Sequence, residues 1–290
     1  MNILITGTNG FIGRNLKEHF LTTNNKLSTP KRDELNLLDG GSVENYIQKN
    51  NFDVVIHCCV TLTSIEQNLK MYFNLEKLSN SFGKLICIGS GAEFDGKNYI
   101  PKMNEDYFNK HIPSKEDIYG YSKYEIAKDI LNRKRNIYNL RAFGIFGKYE
   151  DYRRRLISNI ICRLLQGKNI VLNKNGCFDY MYVNDFSKIV EMFISKKPKY
   201  STYNTCTGEV IEFLAIVKII NEADGKNKPI QVKQEGINPE YSGDNSRFVD
   251  EFGSMNLTSP KVSIKELYNW YKDDSNLKFD EKLFETWIKN

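Results

Sequence analysis

The stretch "ILITGTNGFIGRNL" (residues 3–16) constrains this chain more than any other. A short apolar run, Ile3, Leu4 and Ile5, meets three glycines, Gly7, Gly10 and Gly13, and the helical repeat Ile12, Leu16, Phe20 follows at once. A strand, a tight turn and a helix are therefore joined directly. The first glycine permits the turn, the second lets a pyrophosphate approach the backbone, and the third lets the helix pack closely on the strand. Unpaired N–H groups and the dipole at the helix start then hold the phosphates. Gly7, Asn9, Gly10, Phe11, Ile12 and Gly13 are the expected dinucleotide cradle, against the alternative of a turn that binds nothing.

Further apolar runs resemble buried strands: "DVVIH" (53–57), "KLICI" (84–88) and "IYNLR" (137–141). Helical patterns such as "SVENYIQKN" (42–50) and "LKMYFNLEKLSNSF" (69–82) lie between them. This alternation predicts an α/β fold with a parallel sheet. Past residue 150 the alternation loosens, and residues 196–240 carry more Pro, Gly and Asn, which predicts a smaller, loop-rich second lobe.

Composition narrows the function. The 290 residues are 40% hydrophobic and 27% charged, as in an ordinary globular protein, and the net charge of +5 suits a solvated surface or a phosphate-bearing ligand more than nucleic acid. The cysteines, Cys58, Cys59, Cys87, Cys162, Cys177 and Cys206, form no C-x-x-C pair, which predicts reduced thiols and no metal site. The chain enters a strand at its start and has no run apolar and long enough to span a bilayer, so a cytoplasmic protein without membrane association is expected.

The choice of dinucleotide stays open. An acidic residue at the end of the second strand would hold the ribose diol of NAD(H). Here the strand "KLST" (26–29) runs into Pro30, Lys31 and Arg32, with Asp33 and Glu34 just after. Lys31 and Arg32, with Arg14 on the first helix, suit the 2′-phosphate of NADP(H), which is the favoured reading. In the other reading Lys31 and Arg32 are solvated and Asp33 takes the ribose of NAD(H).

A tyrosine with a lysine four residues on occurs as Tyr119/Lys123, Tyr124/Lys128 and Tyr268/Lys272. Such a lysine shares a helix face with the tyrosine and favours the phenolate of a group whose reference pKa is about 10. Spacing alone does not choose among the three. Tyr119 and Lys123 open the helix that follows "GSGAEF" (89–94), whereas Tyr124 and Lys128 are turned about 140° from them at roughly 100° per residue.

With "TGTNGFIG", "HCC", "GSGAEF" and "YGYSK" in this order, the chain resembles the extended short-chain dehydrogenase/reductases of the NAD-dependent epimerase/dehydratase family, which act on nucleotide sugars. "RDELNLLD" (32–39) is similar to a segment of GDP-fucose synthases, and "FDYMYVNDF" (178–186) and "YNTCTGEVI" (203–211) to later parts of the family. The resemblance implies a Rossmann-type doubly wound parallel sheet with a smaller C-terminal substrate-binding lobe. Residues 1–150 would form the dinucleotide-binding half, and 151–290 mainly the substrate lobe, partly interleaved with the sheet. It implies a triad of Tyr119, Lys123 and Ser90, with Lys123 also reaching the nicotinamide ribose. Matching "GAEF" to the family's "GAVY" puts the hydroxyl at Ser90, and a shift by one puts Gly91 there. Asp39 resembles the adenine contact, or else is a helix-start carboxylate. Asn74 resembles the structural asparagine behind the active site. Phe143 and Gly144 match the segment against the nicotinamide, or else are strand-end core. The family's dimerisation through the Tyr–Lys helix implies a homodimer.

Departures from the family sort the reactions. Dehydratases follow the hydroxyl with an Asp–Glu pair, and Gly91 and Ala92 stand there instead, with Glu93 and Asp95 out of register. The epimerase–reductases carry a cysteine in the slot of Ala92 and a later histidine, but the histidines here are His19, His57 and His111. A 4-keto reductase using exchangeable NAD(P)H is therefore expected, with a C4 epimerase holding NAD⁺ as runner-up. A non-catalytic dinucleotide-binding regulator is the alternative of another class. Phe178 replaces the family's late arginine, so the diphosphate would fall to Arg154, Arg155 or Arg247, beside Ser90 and Gly91 in the substrate site. "YRRR" (152–155) is otherwise a solvated helix start, and His57 and Cys58 are expected to be core or cofactor wall.

Overall fold

A computed structural model describes residues 1–133 and 136–273. The first half alternates β1 (Asn2–Thr6), α1 (Phe11–Leu21), β2 (Lys26–Ser28), α2 (Gly40–Asn50), β3 (Val54–His57), α3 (Ile65–Glu76), β4 (Lys84–Ser90), α4 (Ile118–Asn132) and β5 (Ile137–Ala142). The second half holds β6 (Gly144–Phe146), α5 (Leu156–Leu165), β7 (Ile170–Asn175), β8 (Cys177–Phe178), β9 (Tyr180–Tyr182), α6 (Val183–Ser195), β10 (Thr202–Thr205), β11 (Ile211–Glu212), α7 (Phe213–Asp224), β12 (Ile230–Ile237), α8 (Ser246–Phe252) and α9 (Pro260–Asp273).

One parallel sheet, ordered β10-β5-β4-β3-β1-β2, organises the molecule. Every residue of β3, β4 and β5 is buried, as a sheet covered by helices on both faces requires. β1 lies between β2 and β3, so the chain leaves it in opposite directions and opens a crevice at the strands' carboxyl ends. The Rossmann-type α/β reading therefore holds. β10 supplies the sixth strand from the second half of the chain, pairing Thr202–Thr205 with residues 139–142.

Three local expectations need correction. β4 runs two residues past "KLICI" and ends on Ser90. The helix expected over 69–82 starts earlier and stops at Glu76, because Ser64 caps its start by accepting from the Gln67 N–H. The stretch 196–240 is not loop-rich: it contains β10, β11, the twelve-residue helix α7 and the eight-residue strand β12. The apolar face of α7, with Phe213, Ile216, Val217 and Ile220 buried, outweighs the turn-forming residues around it. Residues 274–290 of the expected second lobe lie outside the described residues. Among the described residues no helix is long and apolar enough to cross a membrane, and no group of three His, Cys, Asp or Glu is placed to hold a metal.

A buried ion pair fixes the carboxyl end of β4. Arg141 and Glu93 are both about 1% exposed, and Arg141 Nε donates to Glu93 at 2.7 Å. Glu93 also accepts from the Ser90 N–H at 2.9 Å and from Asn139 at 3.0 and 3.1 Å. Arg141 continues to Asn204 of β10 at 3.1 Å, and Asn204 donates to the Met103 and Asp244 carbonyls at 2.8 and 2.9 Å. Lys84, at the other end of β4, donates to the Ile194 and Lys196 carbonyls and so caps α6. Removing one partner of a buried pair leaves the other charge uncompensated. Arg141→Met is accordingly expected to cost about 3–5 kcal/mol of stability, read as a lowered midpoint in denaturant unfolding, while Lys174→Met on the β7 surface leaves the midpoint unchanged.

Candidate active site

The crevice beside β1 is a cavity of about 780 Å³, lined by residues 6–13, by Pro30, Lys31 and Arg32, and by residues 35–38 and 58–62, with Tyr119 and Arg155. The glycines divide its construction. Gly7 has φ +74°, and a Cβ there would sit 2.8 Å from the Cys59 backbone nitrogen. A Cβ at Gly13 would overlap the Gly7 carbonyl, so Gly7 and Gly13 are demanded by the chain itself. Gly10 is in an ordinary extended conformation, and a Cβ there meets only Gly7 O, at 3.3 Å. Its bareness serves what enters the cavity, at the start of α1 where N–H groups face outward. The residues present thus fit a dinucleotide diphosphate.

Pro30, Lys31 and Arg32 line this cavity, whereas Asp33 and Glu34 do not. The Lys31 backbone N–H is held by Glu34 at 2.7 Å. Arg14 is absent from the wall and lies with its guanidinium 3.6 Å from the Tyr149 ring centroid. Asp39 caps α2, accepting from the Gly41 and Ser42 N–H groups at 2.9 and 3.3 Å, while Leu37 and Leu38 face the cavity. Asn74 donates to the Leu37 carbonyl at 2.8 Å and so braces that wall.

Tyr119 alone among the three spaced tyrosines lines the cavity. Tyr124 is buried and donates to Asn109, and Tyr268 is buried and donates to Asp224. Asp117 caps α4 by accepting from the Gly120 N–H at 2.9 Å. Gly120 lets the helix start press on the Ala92 carbonyl, which a Cβ would approach to 2.7 Å. That close approach brings Tyr119 to the turn after Ser90. Lys123 is buried, its Nζ 5.8 Å from the Tyr119 ring centroid and donating to the Ile88 carbonyl at 2.6 Å. Ser90 is buried, and its Oγ accepts from the Ala92 N–H at 3.2 Å. Asn68, which the sequence reading passed over, ties this helix down: it donates to Ser122 and to the Thr61 carbonyl and accepts from the Thr61 N–H.

His57 and Cys58 follow β3 as wall residues. Burial, and then the nearby Lys123 charge, lower the His57 pKa to about 3, so its ring is neutral and shares a 3.1 Å hydrogen bond with Thr6. Burial likewise pushes the Cys58 and Cys59 thiols up, away from the reactive thiolate. Phe143 packs with Phe94, Met103 and Cys206 in a small apolar cluster outside the cavity, and Gly144 crowds the Asp179 carbonyl.

The arginines separate. Arg155 lies on the cavity wall at the start of α5, whereas Arg154 is exposed beside Asp151. Arg247 is turned to other work, donating to Asp106 at 2.8 Å and to the Thr202 carbonyl at 3.3 Å in a second cavity. Phe178, in the place of the family's arginine, stacks among Tyr180, Phe213 and Tyr241. Tyr241 was also missed by the sequence reading: it reaches Gly91 from beyond β12, and a Cβ on Gly91 would overlap its hydroxyl. Nothing local in "PEYSGD" marks that position.

Comparison with known proteins agrees with this geometry. The model of the NAD dependent epimerase/dehydratase family matches residues 3–206. GDP-L-colitose synthase of Yersinia pseudotuberculosis is 22% identical over 95% of this chain and 99% of its own length. GDP-6-deoxy-D-talose 4-dehydrogenase of Aggregatibacter actinomycetemcomitans is 24% identical over 92% of this chain and 97% of its own. The crystal structure of a GDP-mannoheptose C4 reductase from Campylobacter jejuni with NADP bound has a TM-score of 0.78 at 18% identity, covering 93% of this chain and 98% of that one.

The glycine geometry separates binding from folding. Gly10→Ala is expected to weaken dinucleotide affinity, measured by calorimetry, at nearly unchanged stability, whereas Gly13→Ala lowers the unfolding midpoint itself. A second prediction concerns acid. Because the folded pKa of His57 lies below its unfolded value, between about pH 6.5 and about pH 3 only the unfolded chain takes this proton. Stability is then lost as pH falls through that window, by up to about 1.4 kcal/mol per unit. His57→Asn should flatten the acid limb of a stability–pH curve, and an unchanged limb would refute the assignment.

Proposed function

The chain belongs to the NAD-dependent epimerase/dehydratase family, and on that premise we propose that it reduces the 4-keto group of a nucleotide-linked 6-deoxy sugar with NAD(P)H, NADP(H) being preferred. The observation that carries the reading is the wall of the glycine cavity: Tyr119 at one side, and Lys31 and Arg32 where an NAD-specific site needs a carboxylate. Two cations at that point suit a 2′-phosphate and an exchangeable cofactor, which a reductase requires.

The chemistry follows from the residues. The bound dinucleotide supplies the hydride to the carbonyl carbon. Tyr119 gives its phenolic proton to the carbonyl oxygen, on which negative charge develops. Ser90 hydrogen-bonds the same oxygen. The Lys123 ammonium, anchored on the Ile88 carbonyl, supplies the positive field behind the tyrosine. Arg155 offers its guanidinium fork to the substrate diphosphate. Glu93, the nearest carboxylate to Ser90 on that turn, is spent on Arg141, Asn139 and the Ser90 N–H, so no acid–base pair stands ready to eliminate water.

The test is a panel of nucleotide 4-keto-6-deoxy sugars with NADPH and NADH, followed by product analysis. Oxidation of NADPH well ahead of NADH is expected. Tyr119→Phe should lower kcat by about 10²–10⁴-fold with dinucleotide binding retained. Protein purified with tightly held NAD⁺, interconverting unmodified nucleotide sugars without net oxidation, would make it a C4 epimerase instead. A Tyr119→Phe variant that keeps full biological function would point to the regulatory class.

A further inference from the structure

Tyr241 lies between β12 and α8, yet its side chain enters the turn that carries Ser90. Its backbone is clamped on both sides: its N–H donates to the Cys177 carbonyl at 3.0 Å, and its carbonyl accepts from the Asp179 N–H at 2.9 Å. Its ring sits among Tyr99, Phe143 and Phe178, with centroids 5.2, 5.3 and 5.1 Å away. Its hydroxyl presses on Gly91, where no side chain could be accommodated, and is hydrogen-bonded with the hydroxyls of Tyr99 and Ser90. Tyr99 in turn donates to the Gly91 carbonyl.

The direction of these bonds is dictated by the end of the chain. A carbonyl can only accept, so the single proton of Tyr99 goes to Gly91. Tyr241 must then donate to Tyr99, and the oxygen of Tyr241 is left to accept from Ser90. Ser90 Oγ meanwhile accepts from the Ala92 N–H. Burial first, and the neighbouring Tyr119 next, raise the pKa of Tyr241, so its hydroxyl keeps its proton at neutral pH.

We propose that Tyr241 is a positioning residue for Ser90, setting through Tyr99 and the Gly91 carbonyl the direction in which the serine proton points. The role rests on the reading of Ser90 as the holder of a substrate carbonyl. Before substrate arrives, the Ser90 proton is directed at Tyr241. A ketone oxygen draws that proton to itself, and the hydroxyls reverse, Tyr241 now donating to Ser90. A hydroxyl that accepts a hydrogen bond donates a stronger one, so the reversed chain polarises Ser90 onto the ketone.

Two measurements test this, and only one needs turnover. Denaturant unfolding of Tyr241→Phe, Ser90→Ala and the double variant should show coupling, the double variant's midpoint shift falling short of the two single shifts combined. Strictly additive shifts would overturn the proposal, whatever reaction the protein performs. In keto-sugar reduction, Tyr241→Phe should lower kcat about ten-fold, the weight of one hydrogen bond, with KM within about two-fold. Made in the Ser90→Ala background, the same substitution should change kcat by less than about two-fold. An equal loss in both backgrounds would mean that Tyr241 does not act through Ser90. A protein that reduces no keto sugar counts against the reductase reading instead, and the unfolding cycle then decides the role of Tyr241 by itself.

Discussion

The buried pair between Glu93 and Arg141 is the constraint around which the site is arranged. A charge pair in the interior gains little net stability over an apolar replacement of similar volume, because both ions lose their water. Its value here is geometric. Glu93 holds the Ser90 N–H, Asn139 and Arg141 at once, and Arg141 reaches Asn204 on the edge strand. Each bond has a direction, so the end of β4, the middle of β5 and the start of the second half cannot slide past one another. Without this lock, Ser90 would sit at the frayed end of a strand, free to take several rotamers. With it, a serine and a tyrosine from separate elements can act on one atom.

The rest of the site builds on that fixed edge. Gly120 lets α4 close on the turn that Glu93 stabilises, which carries Tyr119 to the cavity and buries Lys123 beneath it. On the other side of β1, Gly7 and Gly13 fold the strand into the helix at contact distance and leave Gly10 open. Neutral His57 and protonated Cys58 and Cys59 form a wall that adds no competing charge near the ammonium of Lys123. Positive charge is thereby kept at the two ends of the cavity, at Lys31 and Arg32 and at Lys123 and Arg155. A ligand with a phosphate at each end and a reactive ring between them matches that distribution.

Which parts were legible depended on the range of the interaction. β1, the glycine turn and α1 were readable because strand, turn and helix are adjacent, and glycine spacing reports backbone contacts a few residues apart. α7 was hidden because its neighbours, rich in Gly, Asn and Pro, outweighed its apolar face within the window of composition. The extra length of β4 was invisible for a different reason: Gly89 and Ser90 are poor strand formers held extended by β5 and by Glu93, both distant in sequence.

By itself the sequence determined the parallel α/β architecture, the dinucleotide turn and a short roster of chemistry-bearing residues, since these follow from local periodicity and backbone freedom. The tertiary structure alone decided among equals. Of three Tyr–Lys pairs, only Tyr119 and Lys123 meet the cavity, because only that helix starts against Ala92. Of three candidate arginines, Arg155 faces the cavity while Arg247 is held by Asp106 and Arg154 stands by Asp151. Tyr241 joins Ser90 across more than a hundred residues, an encounter that no spacing in the chain encodes and that only the packing of β8 and its neighbours brings about.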